Sequence, residues 1–207
     1  ILYNNSFTKS SGLNRQHALN AKYEWKVDSL TSFKFVARGI HRTTYSFNDT
    51  YSETLNEGKQ FLNTNNRVNE FDSRRLQNDY ALTYKQLFKK ANRQLITMVR
   101  FGMVDDDRDG ILRSSTDYYN NGDVMDTDTI NQQKINKGFS KTLGTKITFS
   151  EPLSAKWNVI TRYSFNTNNS ESHRNTFNLA SNGKYEILDS LYSNNFDLDV
   201  LSHSGTA

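Results

Sequence analysis

From Leu19 to Val27 every odd position is apolar or aromatic (Leu19, Ala21, Tyr23, Trp25, Val27), and the even positions between them are Asn20, Lys22, Glu24 and Lys26. Side chains that alternate with a period of two specify a strand. The pattern recurs in five further segments: Ser32 to Phe47, Leu76 to Phe88, Gln94 to Val104, Lys137 to Phe149 and Trp157 to Asn166. In the second, Phe33, Phe35 and Ala37 alternate with Lys34 and Arg38; in the last, Trp157, Val159, Tyr163 and Phe165 alternate with Asn158, Arg162 and Asn166. No segment of comparable length has a 3.6-residue period, so the pattern predicts an all-β chain.

The joins divide into two kinds. DSLT (Asp28 to Thr31), KKANR (Lys89 to Arg93) and SEPLSAK (Ser150 to Lys156) are short hairpin connections. Between them lie long polar stretches, Asn48 to Arg75, Asp105 to Asn136 and Thr167 to about Asn195, which are expected to be loops. Short and long joins alternate, which puts the short turns at one end of the sheet and the long loops at the other.

An alternating strand can serve a soluble sheet with one wet face or a membrane barrel with a wet interior. Outer-membrane barrels combine short turns at one end, long loops at the other, an apolar outer face and a polar lumen. Each segment reaches the roughly 9 to 11 residues that a tilted spanning strand needs. Aromatics gather at both ends of the segments: Trp25, Phe33, Phe88, Phe149 and Trp157 beside the short turns, and Tyr45, Phe47, Phe101, Phe139, Tyr163 and Phe165 opposite. Such girdles mark the two membrane interfaces. A soluble meander or lipocalin-like barrel would also alternate, but would not need aromatics at both strand ends.

Composition narrows the choice. Only 35% of the 207 residues are hydrophobic while aromatics reach 13%, so apolar content is concentrated in Phe and Tyr. Disordered chains lack such aromatics and such periodicity. Absence of cysteine rules out disulfides and thiolate metal sites. No run of about eighteen apolar residues exists to make a spanning helix. The net charge of +4 is mild and unaccompanied by a basic helix or finger motif, which argues against nucleic acid as a partner. The expected fold is an antiparallel up-and-down transmembrane β-barrel, present as a sector of about six to eight strands of a larger barrel. Residues 1–207 then form part of one outer-membrane domain.

The run TLGTKITFSEPLSAKWNVITRYSFNTNNSESHRNTFN (Thr142 to Asn178), continued by NGKYEILDSLYSNNF (Asn182 to Phe196), resembles the outer membrane protein beta-barrel family of Bacteroidota, whose members are similar to TonB-dependent receptors. NRQHALNAKYEWKVDSLTSFKF (Asn14 to Phe35) fits the same resemblance. It implies a large barrel in the bacterial outer membrane, usually preceded by a plug domain and often by a small regulatory-like domain, neither of which lies within this stretch. The implied role is import of a scarce ligand. The implied partners are outer-membrane lipid, the plug of the same parent chain, TonB acting through that plug, and an external surface lipoprotein.

Candidate chemistry is sparse. Strand parity assigns Lys22, Lys34, Arg38, Arg42, Arg100 and Arg162 to the lumen, an imbalance that could concentrate anions. Tyr51, Phe61, Tyr118, Tyr119 and Tyr192, in the long joins, are the expected external ligand contacts. VDDDRDG (Val104 to Gly110) spaces Asp105, Asp107 and Asp109 as a calcium loop opens, yet its twelfth position is Thr116, where a bidentate glutamate belongs. A solvated acidic loop competes with that weak calcium site. Histidines 17, 41, 173 and 203 are scattered and no catalytic motif occurs, so no enzymatic activity is expected. A passive structural or adhesive outer-membrane barrel shares every strand feature, and a soluble β-barrel binding protein shares the alternation.

Overall fold

The computed structural model describes residues 1–206. They form one antiparallel sheet of eight strands: β1 (Tyr3–Lys26), β2 (Thr31–Leu55), β3 (Phe61–Leu87), β4 (Gln94–Asn120), β5 (Asp123–Pro152), β6 (Asn158–Leu179), β7 (Tyr185–Leu188) and β8 (Asn194–Thr206). Neighbours in sequence pair up and down from β1 to β7, and β8 pairs with β6 below β7. Among the described residues β1 pairs only with β2, so the sheet has two edges.

All six predicted segments are strands, but the long loops are not loops. Asn48 to Arg75 completes β2, turns at Asn56–Gln60 and begins β3. Asp105 to Asn136 is the upper half of the β4–β5 hairpin. Its turn is only Asn121 and Gly122, with φ of 52° and 94°, the two left-handed positions of a type I′ turn whose twist matches that of the strands. The third stretch holds the end of β6, then β7 and the start of β8. Hydrophobic periodicity missed these halves because Asn, Thr, Ser and Asp occupy them, and ladder hydrogen bonds with polar cross-strand pairs hold them instead. Examples are Asn5 with Glu53 at 2.8 Å, Asn65 with Ser114 at 2.9 Å, and Arg74 with Asp107 at 2.8 Å.

The register arranges the apolar residues in rows on one face. Trp25, Phe33, Tyr84, Thr97, Ile147 and Tyr163 are consecutive partners across six strands. Next come Tyr23, Phe35, Leu82, Val99, Thr145 and Phe165, then Ala21, Ala37, Tyr80, Phe101, Leu143 and Thr167. Rings meet along these rows: Trp25 stacks on Phe33 at 5.8 Å, and Tyr80 lies 6.4 Å from both Phe35 and Phe101. The band lies beside the short turns, and strands overrun it only at the other end. At about 3.4 Å per residue the 27 residues of β4 extend roughly 90 Å, about three times the height of the band.

There is no core. No side chain among the described residues is fully buried, and the most enclosed apolar one, Leu112, is still 6% exposed. In the band, Leu19 is 75% and Trp157 73% exposed. A single layer leaves both faces uncovered, whereas stable domains bury the apolar face of a sheet against a second layer.

The short turns are braced. Asp28 accepts hydrogen bonds from the Leu30 and Thr31 amides at 2.7 Å, which lowers its pKa. Glu151, beside the β5–β6 turn, accepts from Arg93 at 2.6 and 2.8 Å and from Lys90 at 2.7 Å, tying two turns together. Those bonds, Arg93's first, hold the Glu151 carboxyl at about 2 instead of 4.5. A carboxylate depressed on folding stabilises fully above its unfolded pKa, and the stabilisation is lost as pH falls through the folded value. Glu151→Gln is therefore expected to lower the unfolding midpoint at pH 7, with the gap to wild type closing as pH falls from about 4.5 to about 2. A gap equally wide at both ends of that range would remove the clasp as its cause.

Candidate functional site

The face opposite the band is polar and basic. Ladder parity puts Lys22, Lys34, Arg38, Arg42, Arg100 and Arg162 all on it, together with Lys26, Lys85 and Lys146. Their neighbours are small or polar apart from Val36, Ile96 and Met98: the row through Lys22 continues Val36, Ala81, Arg100, Gly144 and Asn166, and that through Arg38 continues Asp79, Gly102, Thr142 and Asn168. Glu24, which bonds Lys22 at 2.8 Å, Asp79, and Asp106, which follows Arg42 and Arg75, are the acids among these rows. Cations held on one side of a sheet raise the local concentration of anions.

Asp105, Asp107 and Asp109 lie on strand β4 and not in a loop. All three side chains leave from the apolar-band face, above the band. A calcium loop works by curling its chain around the ion, and an extended strand spaces alternate side chains along a line instead. Asp107 is held by Arg74 at 2.8 Å, and Asp109 accepts from Gln133 at 2.9 and 3.0 Å. Among the described residues no three His, Asp or Glu side chains converge as a metal site requires. The adjacent pair Arg74 and Arg75 reaches both faces, Arg75 bonding Asp106 at 3.2 Å.

The five aromatic candidates are distributed over strand ends and turns. Phe61 and Tyr119 meet near the hairpin tips, ring centroids 5.7 Å apart, and Tyr119 hydroxyl lies 3.2 Å from Thr64 Oγ1. Tyr51 is on β2 on the same face, whereas Tyr118, paired with Asn63, projects from the other. Tyr192 belongs to a separate five-residue excursion between β7 and β8. The structure therefore unites Phe61 with Tyr119 and leaves Tyr118 and Tyr192 apart from them.

Sequence reasoning missed a second basic cluster on the polar face, just above the band. Arg108, Asn136 and Arg174 are consecutive partners across β4, β5 and β6; Lys134, between Gly110 and Thr176, adjoins them. Arg108 lies 3.5 Å over the Phe71 ring, a cation–π contact that orients the guanidinium. Gly110 permits this arrangement: a Cβ there would come within 2.7 Å of the Phe71 side chain. The dipeptide Asn121-Gly122 was the available signal, since reading it as a hairpin turn extends the strand parity through Arg108 and Lys134. Neither a protein-family model nor a curated protein sequence matches the chain.

Proposed function

We propose that this chain is a wall sector of an outer-membrane β-barrel of the TonB-dependent-receptor type, through which the parent protein imports a scarce ligand. One observation carries the reading: a single-layer sheet without a core bears an apolar, aromatic band on one face and a basic polar surface directly behind it. Lipid covers the first and water the second. The band also runs obliquely. Thr161, the centre of the apolar stretch Trp157 to Phe165 on β6, aligns through successive pairs with Thr31, at the level of Val27, the last residue of the stretch on β1. An offset of four residues over five strand spacings is a slope of about 30°, close to the strand tilt of barrels.

In this reading the short turns face the periplasm, the hairpin tips face outside, and plug, TonB and a surface lipoprotein are the partners. The overrunning, fully paired hairpins favour a second reading, in which the barrel displays a rigid external surface for adhesion. Cells producing the parent protein separate the two. Uptake that stops when TonB is removed, with the protein in the detergent-extracted outer-membrane fraction, supports the receptor. Unchanged uptake supports display, and recovery in the soluble periplasmic fraction overturns both.

A further inference from the structure

Between β7 and β8 the chain leaves the edge of β6 for five residues, Asp189–Ser193, and returns to the same edge. An interruption of this kind re-aims side chains at the expense of ladder pairing. It is firmly built. Asp189 amide donates to Thr176 carbonyl at 2.8 Å, Thr176 amide donates to Ser193 Oγ at 2.9 Å, and Thr176 Oγ1 donates to Tyr192 carbonyl at 3.0 Å. Thr176 is only 4% exposed, while Tyr192 is 65% exposed.

Tyr192 borders an open hollow of about 570 Å³ on the polar face, with Arg108, Lys134, Asn136, Gly138 and Arg174. Gly138, which has no side chain, and Asn136 form its floor. Arg108 and Arg174 stand on either side of Asn136, two strand spacings or about 10 Å apart. The Arg108 guanidinium lies over the Phe71 ring, which leaves its N–H edge free to donate, and both it and Arg174 line the hollow. Among the described residues none of Arg108, Lys134 and Arg174 forms an ion pair. The carboxylate at the rim, Asp106, is matched by Arg75. Three unmatched cations, a tyrosine ring and a polar floor are the complement of an oxyanion carried on a hydroxylated ring.

We propose that this hollow binds an anionic sugar, its phosphate or carboxylate held by Arg108, Arg174 and Lys134 and its ring resting against Tyr192. The site deepens the receptor reading by naming a substrate class, and rests on that reading only for the ligand's onward passage. Titration calorimetry on the full chain in detergent tests it with glucose 6-phosphate, glucuronate, inorganic phosphate and glucose. Glucose 6-phosphate or glucuronate is expected to bind, weakening with salt, at least tenfold more tightly than inorganic phosphate, with no detectable binding of glucose. Arg174→Gln should weaken binding about tenfold or more and Tyr192→Ala should remove the preference over inorganic phosphate. Leu191→Ala, on the same excursion and 89% exposed, should change neither. Vesicle flotation of the same samples reads membrane association separately. Absence of binding by both anionic sugars overturns the site even where flotation succeeds. So do equal affinities for phosphate and glucose 6-phosphate, or affinities unchanged in Arg174→Gln.

Discussion

Leu82→Arg is expected to cost about 2 to 4 kcal/mol of folded-state stability in phospholipid vesicles, the penalty for a guanidinium on the lipid face near the bilayer midplane. Leu82 sits mid-band between Phe35 and Val99, with Tyr80 and Tyr84 along its own strand on the same face. It is 45% exposed because no other described residue covers it. Thr83→Arg makes a matched control: one residue along, at nearly the same depth, it points to the polar face between Lys34 and Met98. Repulsion from Lys34 is a cross-strand pair effect of about 1 kcal/mol or less. Urea unfolding followed through the fluorescence of Trp25 and Trp157 measures both variants. Two equal losses would mean that the faces meet the same medium, and the transmembrane reading would fall.

The lower half of this fold was legible in the sequence and the upper half was not, for one physical reason. Where Leu19, Tyr23, Phe35, Leu82 and Phe101 alternate with Lys22, Lys34, Thr83 and Arg100, one face is apolar and the other polar, and the alternation records the difference. Above the band both faces are polar, so alternation carries no contrast. Asp105, Asp107 and Asp109 share a face with Arg74 and Lys137, while Asp106 and Arg108 share the other with Arg75 and Arg174. A polar strand of that kind reads as loop unless its turn is recognised. Lys22, Lys34, Arg38, Arg100 and Arg162 were legible because they sit on the polar face, behind the band. Arg108, Lys134 and Arg174 sit above it and emerge only once the β4–β5 register is known, and Tyr192 depends on an excursion that no sequence pattern announces.

In plain aqueous buffer the chain is expected to elute from a sizing column in the void volume, and in mild detergent within the included volume. Two features drive this. Three apolar rows across six strands cover on the order of 600 Å², which already reaches the upper range for the largest apolar patch of a soluble monomer. Leu19, Leu95, Met103, Phe149 and Val159 extend the patch beyond it on the same face. β1 adds an edge of 24 residues, every one of them exposed, whose free amides and carbonyls are a template for pairing with another chain. The charges on β1 do not blunt this edge at the band: Lys22, Glu24 and Lys26 leave from the polar face, and Lys22 and Glu24 neutralise each other at 2.8 Å. Detergent covers the apolar face and cannot hydrogen-bond the edge, so the detergent peak should carry residual edge pairing, seen as a dimer fraction that grows with protein concentration. A sharp monomer peak in buffer would require the band to be covered by the chain itself, and would return the protein to the soluble class.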